Sequence, residues 1–145
     1  MPIINMVYKK KQKYNYTITW STTVTDLTPG EWSDLQGCFI SPSGTKLYIA
    51  YWSNERLYQY NLSTPRNIST ASVVRYTGVT APDGFSFGND GKYLFVGDET
   101  DHTIKRYTLS TNWDISTMTL DQSLSISNNY ATEVSIAENG EHIYY

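Results

Sequence analysis

Carboxylates, an imidazole and indoles gather in a few short stretches of this chain. Asp98-Glu99-Thr100-Asp101-His102 puts three carboxylates and a histidine within five residues. Trp32 and Asp34 form a second group, Trp52 and Asn54 a third, and Asp83 and Tyr130 stand near Pro, Asp or Asn. Carboxylates beside a histidine could hold a divalent ion or serve as acid and base. A tryptophan on a loop could stack on a sugar ring or anchor a protein partner. Each has a plainer alternative: an acid on a solvated loop, or an indole filling a gap between packed elements. The elements that position them decide between these.

Those elements follow from a repeat. Gly37–Thr70 recurs without a gap as Gly84–Thr117, with ten of 34 positions identical. The identical pairs include Gly44/Gly91, Tyr60/Tyr107, Leu62/Leu109 and Ile68/Ile115. An offset of 47 residues marks stacked supersecondary units that bury a core only against one another. Each copy reads as four short strands. The second copy gives Gly84–Gly88, an Asp90-Gly91 turn, Tyr93–Gly97, a polar loop, Thr103–Leu109, a longer connection and a weaker strand in Leu120–Ser127. The first gives Gly37–Ser41, Lys46–Tyr51, Arg56–Leu62 and Ser72–Thr77. No stretch has helical periodicity.

The expected fold is all-β, a β-propeller of four-stranded antiparallel blades with about three blades per chain. Residues 37–83 and 84–132 are whole blades; 1–36 and 133–145 are partial ones. Glu133–Tyr145 repeats a blade opening, with Gly140 in the place of Gly91. Lys13–Trp20 resembles Gln59–Arg66 and Arg106–Trp113, so it reads as a third strand. In such a fold the loops after the second and fourth strands share one face. That face would collect Trp32, Asp34, Trp52, Asn54, Asp83, Asp98, Glu99, Asp101, His102 and Tyr130 as the candidate ligand-binding set. The acids do not repeat: Asp98 matches Tyr51, Glu99 matches Trp52 and Asp101 matches Asn54. A metal site fed by several blades would repeat its ligands. The expectation is therefore solvated acidic loops, no catalytic residues, no metal and no cofactor. Trp20 and Trp113 fall at a repeated position, which points to a plug between blades.

The wording SPSGTKLYIA…LYQYNLSTPRNIST resembles repeats of propeller proteins, including tandem arrays in phage and marine microbial sequences. More distantly it resembles lactonase-like and YVTN repeats. The resemblance implies the blade architecture and leaves the activity open, since propellers host enzymes, lectins and scaffolds alike. Without a repeated ligand set, the leading expectation is a non-enzymatic assembly or binding module, with virion or tail decoration as one setting. A carbohydrate-binding propeller lectin is the alternative, and a lactonase-like hydrolase the third reading.

Composition bounds the rest. Charged residues are 17 %, aromatics 14 %, and the net charge is -3. That balance speaks against a nucleic-acid surface. Lys9, Lys10, Lys11 and Lys13 suit a charged edge. Cys38 is the single cysteine, which allows no intrachain disulfide, and its match to Phe85 and Val134 predicts a core slot. No apolar stretch is long enough to span a membrane as a helix. MPIINMVYKKK carries its charges after the apolar run, the reverse of an export signal, so folding without export is expected. The expected partner is a second copy, two chains closing a six-bladed ring, with virion proteins or glycans as further candidates.

Overall fold

The computed structural model describes residues 34–80, 82–126, 133–136 and 142–145. The expectations for Trp20, Trp32, Tyr130 and the partial blade before residue 34 lie outside these residues. Two four-stranded antiparallel sheets make up most of the fold. The first comprises β1 (Leu35–Ile40), β2 (Lys46–Tyr51), β3 (Arg56–Leu62) and β4 (Ala71–Gly78), side by side in chain order. The second repeats it with β5 (Pro82–Gly88), β6 (Tyr93–Asp98), β7 (Thr103–Leu109) and β8 (Met118–Ser125). A short pair, β9 (Ser135–Ile136) and β10 (Ile143–Tyr144), opens a third unit. The fold is all-β, as the repeat predicts. The second copy even repeats irregularities of pairing: β3 and β7 shift register between Gln59/Tyr60 and between Arg106/Tyr107, 47 residues apart.

Six of the ten identical pairs of the repeat lie in the turns and loops. Gly44 and Gly91 turn β1 into β2 and β5 into β6 at φ +73° and +77°, where a β-carbon is unfavourable. The loop after β3 contains a 3-10 turn, Ile68–Thr70, and the loop after β7 has its counterpart, Ile115–Thr117. Asn67 and Asp114 cap these turns, each accepting from the backbone N–H two residues on at 3.1 and 3.0 Å. Thr70 and Thr117 fold the loops back by accepting from the N–H of Thr64 and Thr111, both at 3.1 Å. The shared Ser-Thr…Ile-Ser-Thr wording is thus a folding device.

Successive sheets pack face to face. One core cluster joins Tyr48, Ala50 and Leu57 of the first sheet to Phe85, Phe87, Leu94 and Val96 of the second. Gly37 makes room for Phe85, whose ring comes to 3.3 Å of where a β-carbon would stand. A further cluster joins Phe95 and Ile104 to Val134, with Ile136 and Ile143 against it. The β9–β10 pair therefore sits on the second sheet as β5–β6 sits on the first. Trp113 lies between the two sheets: its ring is 6.0 Å from Phe39 and 5.1 Å from Phe87.

Cys38 does not fill a core slot; it is exposed. Its counterparts Phe85 and Val134 are buried because a preceding sheet lies against each. Cys38 belongs to the first of the described sheets, with no described sheet in front of it.

Candidate functional site

The loops β2–β3 and β6–β7 stand at the same end of their sheets, together with the starts of β1 and β5 and the ends of β4 and β8. Eight of the ten candidate residues are described, and all eight lie at this end. Asp34 is half-buried just ahead of β1, and its carbonyl accepts from the Trp52 N–H at 3.1 Å. Trp52 is 43 % exposed. Asn54 donates through Nδ2 to the Tyr58 hydroxyl at 3.2 Å, while its Oδ1 is buried without a hydrogen-bond partner.

In the second sheet the acids meet one another. Asp98, at the end of β6, is fully buried. Lys105 Nζ donates to Asp98 Oδ2 at 2.6 Å and to Asp101 Oδ2 at 2.9 Å. The Asp101 N–H donates to Asp98 Oδ1 at 2.9 Å. Burial alone would lower the Lys105 pKa, but its bonds to Asp98 and Asp101 outweigh this and hold it above its usual value. Asp83 is buried near the start of β5. Burial, then the charge of Glu99 and a hydrogen bond to it, push its pKa up to about 6. Asp101 and His102 are exposed, and Glu99 is half-buried. His102 has φ +50°, and its carbonyl accepts from Ile126 N–H at 2.9 Å.

The expectation of solvated acids thus holds for Asp101 and fails for Asp83 and Asp98. Sequence reasoning missed Lys105, which bridges Asp98 and Asp101. The signal was present in the repeat. Asp98, Asp101 and Lys105 stand 47 residues beyond Tyr51, Asn54 and Tyr58. In the first sheet that trio is also joined: Tyr51 meets Tyr58 edge to face at 5.6 Å, and Asn54 bonds Tyr58. In the second, two aspartates and a lysine make the corresponding links. One aromatic and amide staple has been replaced by an ionic one at the same three positions. Among the described residues, no three acidic, histidine or cysteine side chains are grouped to hold a metal ion.

No family model matches this chain, and no curated protein matches it. Solved structures do resemble it. A Bacteroides uniformis protein assigned as a 6-phosphogluconolactonase aligns over 76 % of this chain and 32 % of its own, with TM-score 0.59 and 14 % identity. Hydrazine synthase of Kuenenia stuttgartiensis aligns over 83 % and 32 %, with TM-score 0.55 and 18 % identity. The periplasmic gluconolactonase of Pseudomonas aeruginosa aligns over 70 % and 29 %, with TM-score 0.54 and 16 % identity. The chain spans about a third of the length of these proteins. At such identity the likeness is one of fold: this chain is built as consecutive blades of a propeller.

Proposed function

We propose that this chain is a non-enzymatic binding and assembly module, two copies of which close a six-bladed ring. Ligand or partner meets the end of the blades that carries Trp52. The observation that carries the reading is the exchanged trio. Asp98 and Asp101 answer Lys105 where Tyr51 and Asn54 answer Tyr58, so the acids that invite a catalytic reading have a structural counterpart. An ion-paired, buried Asp98 is poorly placed to bind a further cation. The repeat wording shared with phage sequences makes a virion surface one setting for such a module, and Trp52 leaves a glycan as the alternative ligand.

A hydrolase is the second reading. It is favoured by Asp83, whose pKa of about 6 lies in the range of a general acid, with Glu99 beside it. Two of the similar structures are named as lactonases. Offering simple aldonolactones to the purified protein separates the readings. The module reading expects hydrolysis no faster than in buffer. Turnover that disappears in Asp83→Asn would establish the hydrolase instead.

A further inference from the structure

On the side of the second sheet that faces away from the first lies a groove of about 490 Å³. Phe95, Ile104, Arg106, Gln122, Leu124 and the β10 residue Ile143 line it. The first four stand 47 residues beyond Tyr48, Leu57, Gln59 and Arg75. On the first sheet those four hold the capped loop of the next blade. Tyr48 donates its hydroxyl proton to the Trp113 carbonyl at 2.7 Å. Gln59 Oε1 accepts from the Ile115 N–H at 3.1 Å. Arg75 pairs with Asp114 at 2.7 Å and also reaches Ser116. Leu57 shares a core cluster with Ile115, which is fully buried. The groove is therefore the second occurrence of a seat, and its first occurrence shows what fits: the capped loop that follows a third strand. The two inner strands of the next blade, β9 and β10, already stand beside the groove.

The differences between the two seats describe the occupant. Gln122 replaces Arg75, and Arg106 replaces Gln59, so the acceptor for a loop N–H at that position is gone. Arg106 is already paired with Asp121 of its own sheet, so the loop needs no carboxylate. Phe95 replaces Tyr48, so no hydroxyl is offered there. Residues 13–24, KYNYTITWSTTV, match this demand at the strand, the indole and the cap, while Thr22 and Val24 stand in place of Ile115 and Thr117. Tyr14 stands at the place of Tyr60 and Tyr107, and Trp20 at that of Trp113. Ser21 stands at the place of the caps Asn67 and Asp114, and serine caps without bringing charge.

Spacing decides which copy supplies the segment. Trp20 precedes Gly37 by 17 residues, and its counterpart Arg66 precedes Gly84 by 18. By sequence, residues 13–24 are thus the third-strand segment of the repeat that precedes β1. The groove lies on the second sheet, on the side that faces away from the first. We propose that the groove receives residues 13–24 of a second copy of this chain, adding a third strand beside β10 and seating the loop from Trp20 on Phe95, Ile104 and Gln122. This rests on the two-copy reading and names its contact.

The test is sedimentation of the full chain and two variants. Leu124 is 54 % exposed, so Leu124→Arg puts a charge in the groove without disturbing the sheet. Trp20→Glu alters the occupant. Each should weaken self-association at least ten-fold with an unchanged circular dichroism spectrum. Should Leu124→Arg lose its β spectrum, Ser123→Arg, at another exposed groove position, gives the same measurement. Association of either variant at wild-type strength overturns the groove contact and leaves the two-copy reading standing. A wild-type chain that sediments singly at every concentration overturns both.

Discussion

Asp83 and Lys105 show how buried charge is managed at the candidate face. Lys105 meets two carboxylates, and removing it would leave Asp98 buried with the Asp101 N–H but without a countercharge, a loss typically of about 3–5 kcal/mol. Asp83 has only acids among the groups that shift it, Glu99 first and Asp98 after it. Its raised pKa means that the folded chain holds this proton more tightly than the unfolded chain does. Its contribution to stability is therefore present at low pH, and falls as pH rises from about 4 to about 6. Asp83→Asn should match the wild type at pH 4 and exceed its stability at pH 7 by up to about 3 kcal/mol. Urea unfolding at the two pH values measures this. A variant less stable at pH 7 would mean that the ionised carboxylate makes bonds the fold needs.

At the scale of elements, the capped loops after β3 and β7 are alike inside and differ in what they touch. Asn67 caps an exposed turn. Asp114 caps the turn that docks on the first sheet, and it also binds Arg75. Burial would raise the Asp114 pKa, but the bonds from Ser116 and the Arg75 charge hold it below the usual value. Asn67→Ala should cost about 1 kcal/mol, the worth of a cap. Asp114→Ala should cost more, about 2 kcal/mol, because it also strips Arg75 of its countercharge. Equal losses in denaturant unfolding would show that the interblade contact adds nothing.

This difference also marks how far the sequence could be read. The bounds of β2, β3 and β7 follow from alternation and turn residues, and the strands lie at the residues expected. The 3-10 turns were not foreseen, since a three-residue turn has no period to detect. Nor was the pairing of Lys105 with Asp98 and Asp101, or of Arg75 with Asp114. Those bonds link strand to loop or sheet to sheet, and identity between copies hides them: the positions recur while the chemistry changes. Cys38 failed for a related reason. Matching it to Phe85 gave its place in a blade, but burial depends on the neighbouring blade.

On the scale of the molecule, the first sheet buries one face against the second and seats its capped loop, and the proposed contact repeats that joint between copies. The first seat is filled within the chain by Trp113–Ser116. The second is the groove at Phe95 and Gln122. Such a joint runs head to tail, so it closes as a ring or continues as a filament. Propellers close with about four to eight blades, and the proposed pair of copies would make six. The most direct measurement is the mass of the purified 145-residue chain by sedimentation equilibrium at micromolar concentration. A closed pair predicts about twice the 16.6 kDa of one chain. A well-folded species with the mass of a single chain would contradict it.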